Sequence, residues 1–326
     1  MITSVKNYTI TKALGKEGIF FLYQAVDQNI NKKIFLKVID LKELENIQID
    51  QFIKKIEIEI KKIVKLDHPN IQNIYDFGKE NDLYFIVYEL FEGKPLSTVI
   101  NKVKRLPLNE ILILSLKLCS ALSYANKQGI THKDIKPANI FISTDNLKIS
   151  NFSIGYVADS EENNISTIPY SPPEQIVGKS KLDQRSDIYS LGITLFQIFT
   201  GNLPYEGNSA AETINKILNQ EISSMKSYRE NIPEALERII FKAIKRNADE
   251  RYQSIEDLES ALIDIKEYIK VTGKEYNLTE YSARNKSLDS VVSNNEIPEK
   301  TRKKSGLYLF IVLFIFAIFI LIKIIN

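Results

Sequence analysis

The densest collection of chemistry-bearing side chains in the sequence is His132-Lys133-Asp134-Ile135-Lys136-Pro137-Ala138-Asn139. It is followed by a strand-like Ile140-Phe141-Ile142 and then by Leu147-Lys148-Ile149-Ser150-Asn151-Phe152-Ser153. As residue types these offer a carboxylate, ammonium groups and amide oxygens within one short stretch, a set suited to acid–base and charge-neutralising chemistry. A lone His-x-Asp occurs often by chance, so spacing by itself assigns no roles. Thiol and soft-metal chemistry have little to work with. Two histidines argue against a multi-histidine metal site, and the single Cys119 excludes both a Cys-rich metal site and an intrachain disulfide. Cys119 lies in the apolar run from Glu110 to Tyr124 and reads as core filler.

The elements that must position these residues follow from patterning. The chain has 326 residues, of which 44% are hydrophobic, enough for a packed core and too many for disorder throughout. Its formal charge of +2 gives no global reason to expect nucleic acid or an acidic partner. Ile34–Ile39 and Leu83–Tyr88 read as strands, and the spacing of Ile49, Phe52, Ile53, Ile56, Ile60 and Ile63 predicts a helix between them. Glu57 and Glu59 flank its apolar stripe about symmetrically. Helical periods dominate after about Leu96. This order predicts an α+β domain over about 8–270, with a small sheet-rich lobe (8–90), a larger helical lobe (91–270) and a ligand cleft between them. Residues 271–304 read as a polar and basic linker, and 305–326 as a transmembrane tail. Leu307–Ile322 is an uninterrupted apolar run. At 1.5 Å per residue it spans roughly 24 Å, most of a hydrocarbon core once Lys323 snorkels outward. Lys300, Arg302, Lys303 and Lys304 before it predict that the folded part faces the cytoplasm, and the Met-Ile-Thr-Ser start lacks the regions of a secretory signal.

The loop around Asp134 is one of six segments that together resemble protein kinases, specifically the bacterial Ser/Thr kinases of the eukaryotic type. The others are Asp67-His68-Pro69-Asn70-Ile71, the segment around Asn151, Ser171-Pro172-Pro173-Glu174-Gln175, Asp183 to Gly192, and Asp249-Glu250-Arg251-Tyr252-Gln253-Ser254. The resemblance implies a bilobal kinase-like fold that uses ATP and Mg²⁺ and acts on protein hydroxyls. It implies that Asp134 accepts the substrate's proton, that Lys136 neutralises the transferring phosphate, and that Asn139 and Asn151 supply oxygens to Mg²⁺. Lys37 would hold the ATP phosphates, steered by a glutamate of the first helix, and spacing to His68 favours Glu59. Gly15 would belong to the phosphate loop, and Leu22, Phe141 and the hinge from Glu89 to Phe91, beside Tyr88, to the adenine pocket. Asp187 resembles the residue that holds the catalytic-loop backbone, and Glu174 with Arg251 resembles a buried ion pair.

Four places depart from the family pattern. The glycine loop reads Gly15-Lys16-Glu17-Gly18-Ile19-Phe20, where Glu17 adds bulk and charge and Phe20 a large side chain. Asn151-Phe152-Ser153 replaces Asp-Phe-Gly and leaves no obvious carboxylate for Mg²⁺. Phe35 and Leu22 are larger than the residues usual around the base. Lys133 replaces the arginine that clamps a phosphorylated activation loop, which weakens any control through Ser166 or Thr167. The expectation is a cytoplasm-facing, membrane-anchored Ser/Thr kinase of low or conditional activity. The alternative is an inactive pseudokinase that serves as a membrane-tethered signalling or scaffold module.

Overall fold

The computed structural model describes residues 2–272 except 45–47, 103–105, 144–145, 158–164 and 179–181. The expected linker and membrane anchor, beyond 272, lie outside the described residues.

The first lobe is a six-stranded antiparallel sheet. Its strands are β1 (Ser4–Val5), β2 (Tyr8–Glu17), β3 (Phe20–Asp27), β4 (Lys32–Asp40), β5 (Ile74–Glu80) and β6 (Leu83–Glu89), in spatial order β1-β2-β3-β4-β6-β5. Successive side chains of a strand point to opposite faces. Tyr23, Ala25, Ile34, Leu36, Val38, Phe85 and Val87 accordingly close a small outer core with Val5 and Tyr8. The alternate residues Phe20, Ile39, Tyr84, Ile86 and Tyr88 join the main core that runs into the second lobe. Lys37 stands on this inner face, in a row that pairs Gly15, Leu22, Lys37 and Ile86 across four strands. Helix α1 (Ile49–Ile63) covers the inner face with Phe52, Ile56, Ile60 and Ile63, the stripe predicted from sequence.

The second lobe begins with β7 (Lys94–Pro95), α2 (Leu96–Lys102) and α3 (Leu108–Lys127). A small sheet of β7, β8 (Ile140–Ile142) and β9 (Leu147–Ile149) carries the two chemistry-bearing segments. Helices α4 (Pro173–Ile176), α5 (Gln184–Thr200), α6 (Ala210–Asn219), α7 (Glu234–Ala243) and α8 (Ile255–Thr272) complete it. Among the described residues, α3 is the one helix long and apolar enough to cross a membrane, and half of its most apolar stretch is buried within the lobe. Helix α5 is buried on nearly every side, capped by Asp183, whose carboxylate accepts from Arg185 N, and ended by left-handed Gly201. Gly192 allows its close crossing with α7, since a Cβ there would lie 2.5 Å from Ile244.

The lobes are tied through β9. Ile149 pairs with Ile71, Gln72 N donates to Ile149 O at 2.9 Å, and Asn70 Nδ2 donates to Leu147 O at 2.9 Å. The Lys148 ammonium, also buried, meets Glu89 Oε2 at 2.7 Å, so the strand that leads to Asn151 is pinned to the interlobe crossing.

Candidate active site

The loop 132–139 takes its shape from Asp187 at the start of α5. This fully buried carboxylate accepts the backbone N–H groups of His132 at 2.7 Å and Lys133 at 2.9 Å, although burial raises its pKa to about 6. Lys133 is thereby held at φ 67°, a left-handed conformation costing an ordinary residue of order 1–2 kcal/mol. His132 is neutral, because burial lowers its pKa to about 3. Its Nδ1 accepts from Asp134 N at 3.2 Å, which leaves Nε2–H to donate to Ser150 O at 3.0 Å. One imidazole therefore bolts the Asp134 loop to the segment before Asn151. Asn151 and Ser153 are also left-handed, at φ 66° and 49°. Ser153, where the family pattern has glycine, is held by its N–H to His132 O and its hydroxyl to Thr131 O, both at 2.7 Å.

These supports bring Asp134, Lys136, Asn139, Asn151 and Lys37 into one buried polar chain. Asp134 Oδ2 meets Lys136 Nζ at 3.0 Å and accepts from Asn139 Nδ2 at 2.7 Å. Asn139 Oδ1 accepts from Asn151 Nδ2 at 2.8 Å, and Asn151 Oδ1 accepts from Lys37 Nζ at 2.8 Å. The backbone of Gly155 lies against Asp134, since a Cβ at that position would fall 2.4 Å from Oδ2.

The chain ends on Glu17, whose part was not legible in the sequence. Its Oε2 accepts from Lys37 Nζ at 2.7 Å and its Oε1 from Asn151 Nδ2 at 3.1 Å. Burial works against the carboxylate, but Lys37 above all, then Lys136 and Asn151, hold its pKa below the usual carboxylate range. The expected partner, Glu59, sits elsewhere. Its carboxylate lies 2.8 Å from Lys62 and 3.9 Å from Lys133, while Glu57 faces Lys61 at 3.6 Å. The correction has a geometric cause: Glu59 borders the buried stripe of α1 on the side of Lys133 in the 132–139 loop, whereas the β2–β3 turn delivers Glu17 directly to Lys37.

Leu22 and Phe35 pack on the main core, and the ring of Phe35 lies 5.9 Å from that of buried Tyr88. Phe20 is buried with its ring 5.1 Å from Lys37 Nζ. Glu89 O accepts from Gln72 Nε2 at 2.8 Å, and Phe91 turns back over Gly93, where a Cβ would lie 2.4 Å from its ring. Phe141, on β8, is half-buried opposite Pro95 and Lys148. Gly15 adopts φ 138°, a conformation open to glycine. Deeper in the second lobe, Arg251 uses all five N–H groups: two pair with both oxygens of Glu174 at 2.8 Å, and three reach the carbonyls of Lys245, Arg185 and Arg246.

A divalent cation does not fit this arrangement. Both amide oxygens that would receive it, on Asn139 and Asn151, already accept N–H groups, and the nearest carboxylates, Asp134 and Glu17, are paired with lysines. A phosphate chain meets the same obstacle, since Lys37 is 2% exposed and engaged by Glu17.

Comparison with known proteins agrees with the fold. The protein kinase domain family matches residues 8–270. The chain is 30% identical over 305 residues to the serine/threonine-protein kinase PrkC of Bacillus subtilis, covering 92% of this chain and 46% of that protein. It is 30% identical over 257 residues to the probable serine/threonine-protein kinase PknB of Lactococcus lactis, covering 77% of this chain and 40% of that protein. The chain thus spans less than half the length of these relatives. Among solved structures, the kinase domain of Mycobacterium tuberculosis PknI superposes with a TM-score of 0.64 at 19% identity, over 80% of this chain and 97% of that one. Rad53 in complex with AMP-PNP superposes at 0.65 and 22% identity, over 78% and 65%. The order of motifs, the bilobal fold and the family match converge, and the chain belongs to the protein kinase domain family, among relatives named as bacterial Ser/Thr kinases.

Proposed function

We propose that the chain is a membrane-anchored Ser/Thr protein kinase of conditional activity, which acts on protein hydroxyls once its closed cleft opens. One observation supports this reading: Asp134 and Lys136, to which it assigns the chemistry on the protein substrate, are held in a built network, although Lys37 is engaged by Glu17. Asp134 is positioned by His132, Asn139 and the Asp187-supported loop, and Lys136 sits 3.0 Å from it. In this arrangement Asp134 takes the proton of an incoming hydroxyl, and Lys136 balances charge on the transferring group. Leaving this much strained and buried polar structure assembled has a stability cost that a purely structural domain has no need of. The apolar run Leu307–Ile322 and the basic residues before it support a bilayer anchor with the kinase domain in the cytoplasm.

A second reading, a catalytically inactive relay module, is favoured by the Asn139–Asn151 bond, which ties two neutral amides together where a cation needs charge. Phosphotransfer from radiolabelled ATP to Ser/Thr-containing model proteins separates the two. The kinase reading expects a signal that Asp134→Asn removes by at least about a hundredfold. A signal equal in both proteins, or none under any condition that opens the cleft, supports the relay.

A further inference from the structure

We propose that Glu17 is a built-in competitor for phosphate: its carboxylate occupies the anion position at Lys37 and must leave before a nucleotide's phosphate chain can bind. The inference rests on reading Lys37 as the phosphate-binding lysine. Lys37 projects from an inner sheet face whose neighbours in register are Leu22 and Ile86, with the ring of Phe20 over its ammonium. An ammonium so placed requires an anion. Glu17 supplies it at 2.7 Å, from the tip of the β2–β3 hairpin, with Ile19 and Phe20 buried beside it.

Both carboxylate oxygens are held, Oε2 by Lys37 and Oε1 by Asn151 Nδ2. An ammonium and an amide N–H are the groups that bind a phosphate oxygen, so carboxylate and phosphate want the same place. The neutral amide at 151 is what permits the contact, because a carboxylate there would set like charges about 3 Å apart. Glu17 and Asn151, two separate departures from the family sequence pattern, therefore act as one device. The charge balance agrees: Glu17 with Lys37 and Asp134 with Lys136 form two neutral pairs bridged by Asn151 and Asn139. The Glu17 side chain is 39% exposed, so it can exchange its partners for water without unfolding the lobe.

Isothermal titration of the full-length chain in mild detergent tests this, with inorganic tripolyphosphate and ATP as probes, each with and without Mg²⁺. Glu17→Gln keeps shape and removes charge, and Glu17→Ala also removes the side chain's contacts. Both variants are expected to bind tripolyphosphate at least about tenfold tighter than the unmodified chain, and Lys37→Met is expected to abolish the gain. Unchanged affinity in both variants overturns the proposal, whether or not the unmodified chain binds ATP and transfers phosphate. Weaker Mg²⁺-dependent binding in the variants also overturns it, by making Glu17 a cation ligand. Tighter tripolyphosphate without tighter ATP upholds Glu17 as the competitor while removing the nucleotide pocket, and with it the kinase reading.

Discussion

Replacing Asn151 by aspartate probes the centre of the closed site. The amide donates to Glu17 Oε1 at 3.1 Å and Asn139 Oδ1 at 2.8 Å, and its oxygen accepts from Lys37 at 2.8 Å. A carboxylate loses both donated bonds, at about 1 kcal/mol each. With an effective dielectric of about 20, its repulsion from Glu17 at the same separation is roughly 5 kcal/mol, and its added attraction to Lys37 is roughly 6 kcal/mol. The Coulomb terms nearly cancel, so the fold should lose only about 1–3 kcal/mol. The easiest relaxation is for Glu17 to swing into solvent while the new carboxylate keeps Lys37. Thermal unfolding should fall by several degrees, at about 2–4 °C per kcal/mol for a domain of this size. Backbone amides of residues 15–20 should exchange faster with solvent deuterium, and Mg²⁺ should add a stabilising increment that the unmodified chain lacks. Unchanged exchange at 15–20 would refute the coupling of Asn151 to Glu17. A loss above about 5 kcal/mol would show instead that the new charge is trapped and the loop cannot yield.

Glu174→Gln should cost about 3–5 kcal/mol in denaturant unfolding, because it leaves the wholly buried Arg251 guanidinium without its counter-charge. Arg251 and its hydrogen bonds hold the Glu174 pKa below the ordinary value, so this contribution is complete above about pH 4.3 and lost as pH falls through the depressed folded value. A gap under about 1 kcal/mol at neutral pH, or one that widens in acid, contradicts the assignment. His132 is neutral in the fold down to about pH 3, whereas the unfolded chain protonates it near pH 6.5. Relative to His132→Gln, the unmodified chain should therefore lose about 1.4 kcal/mol per pH unit below about 6.5. Asp187, whose folded pKa is raised to about 6, opposes this slope between about pH 6 and 4 in both proteins, so it largely cancels in the comparison. A pH-independent difference would show that His132 titrates normally. Deleting residues 300–326 should move the chain from the membrane pellet to the soluble fraction. Retention after a high-salt wash would reveal another anchor.

What the sequence determined by itself was local or carried by short motifs. Strands Ile34–Ile39 and Leu83–Tyr88 and the stripe of α1 were legible because alternation and helical spacing are one-dimensional records of which face is buried. The grouping of Asp134, Lys136, Asn139 and Asn151 was legible only through the resemblance to kinase motifs, and the structure joins them by hydrogen bonds and an ion pair. The partner of Lys37 was not. Glu59 and Glu17 both carry the needed charge, and the choice depends on where a hairpin tip and a helix face end up across tens of residues, which no local spacing encodes. The same holds for Gly155 against Asp134, which meet within the second lobe, and for Lys148 against Glu89, which meet across the two lobes, since neither pair shares a local element. Position 151 shows the division most plainly. The sequence revealed a missing negative charge there, and the tertiary structure placed one on Glu17 beside it, because a buried ammonium takes whichever anion the fold brings within reach.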